Sequence, residues 1–269
     1  MRPLPVCLLL ALGLILSWSP LLPAAPELSF AGQNVPLTQP EVGENLDQEL
    51  LLLAEAKSRI WLTIRRLGRF QPIVDTALSQ AGVSGDFRYL PLVLTGLSPR
   101  YASQGRAGLW RLSANEAKAM GLLITLEIDE RFDPAASSAA AAARLKSLSG
   151  TYPSPLTALA AFLDEGAVQA ALAAAGQEKN FFRIYWPEPL EKTIYQILAG
   201  KVIFSSLETY GYQRTHTWPV LAKQRQKQES AGNLKELAAK HKVDYLTFRD
   251  MNPHILSEKV PAGASLYLP

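Results

Sequence analysis

The residue types that do nucleophilic or metal chemistry are scattered in this sequence. The three histidines, His216, His241 and His254, all lie in the last third of the chain, and no His-x-x-x-His pair or Asp/His cluster occurs. This spacing predicts no metal site, and it leaves no histidine in the main part of the chain to activate a serine. Gly-rich phosphate-binding motifs are absent as well. The remaining candidates are carboxylates, which can act as general acids when their pKa is raised.

The most distinctive stretch runs from Asp86 to Leu112. It begins with the apolar run Tyr89–Leu97, continues through a loop rich in Ser, Gly and Pro, and closes on Ala107-Gly108-Leu109-Trp110. Gly permits close backbone approach there, and Trp brings a large apolar surface. The pieces Tyr-Leu-Pro-Leu-Val, Gly-Leu-Ser-Pro, Ala-Ser and Ala-Gly-Leu-Trp resemble the front half of a lysozyme-like transglycosylase domain, of the membrane-bound lytic transglycosylase D type.

The resemblance implies a chemistry that the matching positions do not supply. Members of this family cut the glycan strand of peptidoglycan without water and leave an anhydro sugar. They use one glutamate, which follows the Leu-Pro-Leu-Val run and precedes a serine. Here those two positions hold Leu94 and Thr95. Leucine cannot donate a proton, and loss of a general acid costs about 10²- to 10⁴-fold in rate. The sequence therefore predicts a family scaffold that does not cleave.

Other positions that carry polar groups in the family are also altered. Arg111 stands in place of a Gln, and Ala160-Ala161-Phe162-Leu163 stands in place of Ala-Ala-Tyr-Asn. The expected Glu-Thr falls on Pro189-Leu190 and the expected Tyr on Thr193. Because a half-satisfied buried polar network is costly, replacing all of its members together is physically consistent.

Three functions remain open. The first is a protein that binds peptidoglycan strands without cleaving them. The second is an active lytic transglycosylase with a displaced carboxylate, of which Glu165 is the best candidate because the matching family loop borders the cleft; Glu116, Glu127 and Glu130 are weaker candidates. The third is an envelope scaffold or adaptor whose cleft docks a protein partner.

Candidate substrate-binding residues follow from the same resemblance. The aromatic residues Trp110, Phe162 and Tyr185 are either sugar-stacking platforms or plain core. The Arg111 cation is placed to pair with lactyl or peptide carboxylates of peptidoglycan, or else is solvated.

Composition sets the class of protein. A chain of 269 residues suits one or two domains, and a hydrophobic content of 48% with 19% charged residues favours a packed core over disorder. The formal charge of +3 permits contact with an anionic polymer but is no nucleic-acid signature. The lone Cys7 excludes an intrachain disulfide. We expect no cofactor.

The N-terminus resembles a secretory signal. Arg2 supplies the positive charge, Val6–Trp18 the apolar segment, and Ala24 and Ala25 a cleavage site. The sequence predicts a signal peptide over residues 1–25 and a periplasmic or outer-membrane-associated location; an uncleaved anchor is the alternative.

Hydrophobic periodicity predicts a mainly α protein. The expected domains are a leader over 26–85, a transglycosylase-like domain over 86–212, a linker over 213–230 and a small tail over 231–269. The predicted helices are 44–67, ended by Gly68; 69–81, ended by Gly82; 112–123, capped by Ser113; 135–148, begun by Pro134; 155–175; and a closing helix within 181–212.

The tail predicts a β-α-α-β unit. Asn233 caps its first helix, a second helix covers 243–251, Asn252-Pro253 ends that helix, and 265–268 forms a closing strand. A first strand is expected near 217–221. This arrangement resembles a LysM module, which binds N-acetylglucosamine chains, and the resemblance implies a substrate-binding role for Asn252. A cap without sugar affinity is the alternative.

Overall fold

A computed structural model describes residues 27–214, 216–222 and 224–269. The predicted signal peptide lies outside the described residues. The fold is mainly α, as predicted. The α-helices are α1 (Pro40–Glu55), α2 (Lys57–Ala81), α3 (Tyr89–Thr95), α4 (Ala114–Ala119), α5 (Pro134–Thr151), α6 (Pro155–Leu163), α7 (Glu165–Ala175), α8 (Glu188–Ser205), α9 (Leu234–Lys240) and α10 (Tyr245–Met251). Within the described ranges, no helix combines the length and apolar character needed to cross a membrane.

The strands are short and form small antiparallel sheets of two or three strands. The strands are β1 (Ser29–Phe30), β2 (Gln33–Asn34), β3 (Ala102–Ser103), β4 (Arg106–Ala107), β5 (Leu112–Ser113), β6 (Gln224–Lys227), β7 (Gly232–Asn233), β8 (Lys259–Val260) and β9 (Ser265–Leu268). β1 pairs with β2, β4 lies between β3 and β5, β6 pairs with β9, and β7 pairs with β8.

The leader helices divide at a different residue from the one predicted. The chain breaks at Ala56, and α2 then continues through Gly68 to Ala81, so the predicted stop at Gly68 is wrong. A Cβ on Gly68 would lie 2.7 Å from Thr217 Oγ1 and 2.8 Å from the Trp218 carbonyl oxygen. The glycine therefore permits a later segment to cross α2 closely. The predicted stop at Gly82 is confirmed, and its φ is 67°.

One apolar core joins the leader to the helices that follow. α8 packs on α1 and α3, and α5 packs on α2 and α6. Alanines such as Ala141, Ala142 and Ala158 are fully buried where α5 and α6 approach. A Cβ on Gly200 of α8 would lie 2.1 Å from Val93 Cγ2, so α8 can approach α3 only with glycine at that position.

Two other helix predictions need correction. The expected helix over 155–175 is two helices, because Asp164 adopts an extended conformation and its side chain accepts the Ala167 N–H at 2.9 Å. The expected helix over 112–123 covers only α4. Its predicted cap is confirmed, since Ser113 and Glu116 form a reciprocal capping box.

The tail, residues 224–269, has the order β6-β7-α9-α10-β8-β9 around its own small core, which includes Leu234, Phe248 and Leu266. The cap at Asn233 and the closing strand over 265–268 are confirmed. The first strand is β6, so its predicted place near 217–221 is wrong. The predicted linker therefore contains a strand of the tail.

The tail contacts the helical body through the turn before α5. Ile128 of this turn is buried in the core of the tail, and the Asp129 N–H donates to the His254 carbonyl oxygen at 2.9 Å. The Tyr267 hydroxyl donates to the buried Asp133 carboxylate at 2.7 Å. Burial and the Asp133 charge raise the pKa of Tyr267 far above its ordinary value. This contact is a packed, hydrogen-bonded interface.

Candidate functional site

A cleft of about 320 Å³ opens beside the C-terminal end of α3. Its walls come from α3, from the loop over residues 106–112 (the cleft loop), from the end of α6 and from the start of α8. The lining residues are Leu94, Arg106, Trp110, Arg111, Leu112, Phe162, Leu163, Asp164, Pro189, Leu190 and Thr193. The structure thus brings together most of the positions that the sequence singled out from four separate segments.

Thr95 holds the end of α3 in place behind the cleft. Its Oγ1 is buried and lies 2.9 Å from the Leu109 carbonyl oxygen and 3.0 Å from the Pro91 carbonyl oxygen. α3 ends at Gly96, whose φ is 59°. The hydroxyl thereby ties α3 to the cleft loop, and the preceding residue, Leu94, is half-buried and lines the cleft.

Gly108 lets the cleft loop lie directly on the turn before α5. Its φ is 76°, and a Cβ there would lie 1.8 Å from the Arg131 carbonyl oxygen. The Arg131 side chain pairs with Asp129 at 2.6 Å and donates to the carbonyl oxygens of Gly105 and Leu112, each at 3.2 Å. The loop is therefore fixed at both ends by the same arginine.

Trp110 belongs to the packing beneath the cleft. It is 2% exposed, and its indole N–H donates to Ser138 Oγ at 2.9 Å. Its ring meets Phe162 edge to face, with centroids 6.0 Å apart. Because both ring faces are covered, Trp110 offers no stacking surface to a sugar. Phe162 is also buried, so its edge contributes apolar floor.

Two arginines line the cleft, and one of them is already paired with a carboxylate. Arg106 pairs with Glu116 at 2.9 Å and donates to the Arg111 carbonyl oxygen at 3.1 Å. Arg111 has a φ of 53°, a conformation that turns its backbone toward Arg106. Its Nε is buried and has no hydrogen-bond partner among the described residues. An anionic ligand in the cleft would supply the missing acceptor.

The carboxylate that lines the cleft is Asp164, and it acts as a helix cap. Its side chain is exposed, and one oxygen accepts the Ala167 N–H. Glu165, the sequence candidate, is not part of the lining: it pairs with Arg144 at 2.9 Å and accepts the Tyr152 hydroxyl at 3.1 Å. Glu116 is held by Arg106 and by the α4 cap.

Two other predicted binding residues lie outside the cleft. Tyr185 is 91% exposed and borders a different surface cavity, with Gln39 and Arg183. Asn252 is 1% exposed and joins α10 to β9: its amide accepts the Tyr267 N–H at 2.7 Å and donates to the Tyr267 carbonyl oxygen at 3.0 Å. Asn252 therefore has a structural role in the tail.

Sequence reasoning missed Arg106 and Asp164 as cleft residues. The signal for Asp164 was an Asp directly before Glu-Gly, typical of a helix N-cap. Arg106 had no comparable signal, since its side chain is directed by the pairing of β4 with β5. Among the described residues, no group of three His, Cys, Asp or Glu side chains is arranged to hold a metal ion.

Comparison with known proteins agrees with this geometry. Residues 94–180 match the family described as the transglycosylase SLT domain. The matched span includes Leu94, the cleft loop and the end of α6, which form most of the cleft walls. No curated protein matches the chain. The match supports a lytic transglycosylase-like domain with a mainly helical, lysozyme-like fold.

Proposed function

We propose that this protein binds the glycan strands of peptidoglycan in the cleft beside Leu94 and does not cleave them. The observation that carries the proposal is the leucine at the end of α3, directly before the buried Thr95, in a span that matches the transglycosylase SLT domain. Glycoside cleavage needs a carboxylic acid held away from water so that it stays protonated. A leucine side chain cannot supply that proton.

The charges of the cleft support binding of a decorated glycan strand. Lactyl and peptide carboxylates along peptidoglycan are anionic, and the cleft presents Arg111, whereas Arg106 is already paired with Glu116. The buried Nε of Arg111 has no acceptor within the described chain, so a ligand carboxylate would complete its hydrogen bonding. The half-buried Leu94 and the apolar residues beside it offer a surface for the nonpolar face of a sugar ring.

The tail is proposed to add a second contact with the same polymer. Its two helices, α9 and α10, lie in the sequence between β6 and β9, which pair antiparallel, and this arrangement agrees with the LysM resemblance found in the sequence. The signal-like segment over residues 1–25 supports secretion to the periplasm, where peptidoglycan lies. Together these features favour an envelope protein that holds the polymer.

Sedimentation with insoluble peptidoglycan sacculi tests the proposal. We expect the full chain to pellet with sacculi, and we expect Arg111→Gln to weaken this binding several-fold because it removes a charge-assisted hydrogen bond. The matched control is Arg183→Gln, at a side chain that is 70% exposed and outside the cleft, which should pellet like the unchanged protein. Protein that stays in the supernatant at all sacculus concentrations would contradict the proposal.

Cleavage through Asp164 is the second candidate function, and it is favoured by the position of this carboxylate on the cleft wall. This function requires Asp164 to give up its capping bond to Ala167 and to reach a bound glycosidic oxygen. Release of anhydro products that disappears in Asp164→Asn, with sedimentation unchanged, would establish it.

A further inference from the structure

A second, smaller cavity of about 190 Å³ lies between α1, α2, α3 and α8. Neighbouring residues of two helices face the two cavities: Leu94 and Thr193 line the cleft, whereas Val93 and Lys192 line the small cavity. The small cavity is distinct from the glycan-binding site proposed above. Its volume lies below the range of about 300–1,000 Å³ that is usual for larger ligands, so it fits a small head group and not a sugar strand.

Glu49 of α1 forms the buried wall of this cavity. The residue is 4% exposed, and its Oε1 has no hydrogen-bond partner in the described part of the chain. The nearest cation is Lys192, whose Nζ lies 4.0 Å away, too far for a hydrogen bond. A buried carboxylate oxygen without a donor costs free energy, so the fold alone gives no reason for this placement.

Two cations line the same cavity as this carboxylate. Lys192 has a side chain that is 43% exposed at the mouth of the cavity, and Arg59 also lines it while donating to the Val93 carbonyl oxygen. Leu52 and Val93 add an aliphatic rim. A simple cation would meet two like charges here, and a simple anion would meet Glu49. An occupant that carries both signs satisfies all three groups.

We propose that the small cavity binds the zwitterionic head group of an α-amino acid. The ammonium group donates to Glu49 Oε1, and the carboxylate accepts from Lys192 and Arg59. Two sources carry this chemistry: a free amino acid, and the far end of a diamino dicarboxylic acid whose other end is held in a peptide. The proposal does not depend on glycan binding in the cleft.

Ligand-observed NMR and calorimetry on the full chain test this assignment. The probes are both enantiomers of alanine, propylamine, which keeps only the ammonium group, and propionate, which keeps only the carboxylate. We expect saturable binding of alanine and at least about tenfold weaker binding of the two single-charge probes. Nα-acetyl-2,6-diaminopimelate, which keeps one intact ammonium–carboxylate head group and has its other amine blocked, separates the sources: tighter binding than alanine favours the peptide source, and equal or weaker binding favours the free amino acid.

Two variants with one matched control complete the test. Glu49→Gln should weaken alanine binding at least about tenfold, whereas Glu44→Gln, the same change at an exposed position of α1, should leave it unchanged. If Glu49→Gln folds poorly, Lys192→Met tests the site independently, because this side chain is partly exposed. We expect Lys192→Met to weaken alanine binding as well. The inference is overturned if neither zwitterion binds saturably, if propylamine binds as tightly as alanine, or if Lys192→Met and a folded Glu49→Gln both bind like the unchanged protein.

Discussion

The cleft and the small cavity share α3 and α8 as walls but differ in the charge that faces them. The cleft presents the hydrocarbon of Leu94 with two arginines, and its carboxylate, Asp164, is exposed and caps a helix. The small cavity presents a carboxylate, Glu49, that is buried and without a hydrogen-bond donor within the described chain. A buried carboxylate therefore faces the small cavity, whereas the carboxylate that lines the cleft is exposed to solvent.

The largest expected effect is a loss of stability when the cleft loop can no longer pack on the turn before α5. Gly108→Ala should destabilise the protein by about 3 kcal/mol or more, because the new Cβ meets the Arg131 backbone at 1.8 Å. Gly105→Ala is the matched control: it has a similar positive φ, 74°, but nothing within 4 Å of its Cβ, so about 1 kcal/mol of backbone strain is expected. Urea unfolding measures both. Equal losses in the two variants would mean that the close approach at Gly108 does not fix the loop.

The next expected effect is a gain of stability, and it concerns the small cavity. Glu49→Leu should raise the free energy of unfolding by about 1–3 kcal/mol, because it removes a buried carboxylate oxygen that has no donor. Glu44→Leu, at an exposed position of the same helix, should change stability by less than about 0.5 kcal/mol. Thermal or urea unfolding reports the difference. A loss of stability in Glu49→Leu would show that Lys192 already compensates the charge.

A smaller effect comes from placing an acid in the cleft. Leu94→Glu should cost about 1 kcal/mol, since a half-buried apolar side chain is lost, and should not start cleavage of sacculi. The reason is that Leu163, Pro189 and Thr193 stand where the family pattern has Asn, Glu and Tyr. The groups that orient the acid and the sugar in that pattern are therefore missing. Product analysis checks this. Efficient cleavage by Leu94→Glu would mean that the rest of the cleft is competent.

The smallest expected effect distinguishes a helix-capping role of Asp164 from a catalytic role. Asp164→Asn should leave stability within about 0.5 kcal/mol, because Asn caps helices as well as Asp, whereas Asp164→Ala should cost about 1 kcal/mol. Binding to sacculi should persist in both variants. A large loss of binding in Asp164→Asn alone would assign the carboxylate a role in ligand contact.

The sequence predicted those features whose cause is local. The caps at Ser113 and Asn233, the start at Pro134 and the stop at Gly82 depend on residues within one helical turn, and all are confirmed. Gly68 was misread because a distant segment crosses the helix there. The first strand of the tail was misplaced because β6 is set by its pairing with β9.

The candidate site was predictable to a similar extent. A family resemblance placed Leu94, Arg111 and Phe162 in one cleft, and the structure brings them together. Glu49 was missed, although it lies three residues after Leu46 and four before Leu53, a spacing that places it on the buried face of α1, unlike Glu41 and Glu44. The packing of α1 on α8 buries that face, but the spacing does not show that Glu49 Oε1 lacks a hydrogen-bond donor within the described chain.

The cleft beside Leu94 is proposed to hold glycan strands without breaking them. The most direct measurement is mass-spectrometric detection of soluble anhydro-muropeptides after incubation of the purified full chain with sacculi. We expect no release above the buffer control while the protein stays bound to the pellet. Anhydro-muropeptide release that increases with protein concentration and incubation time would contradict the proposal.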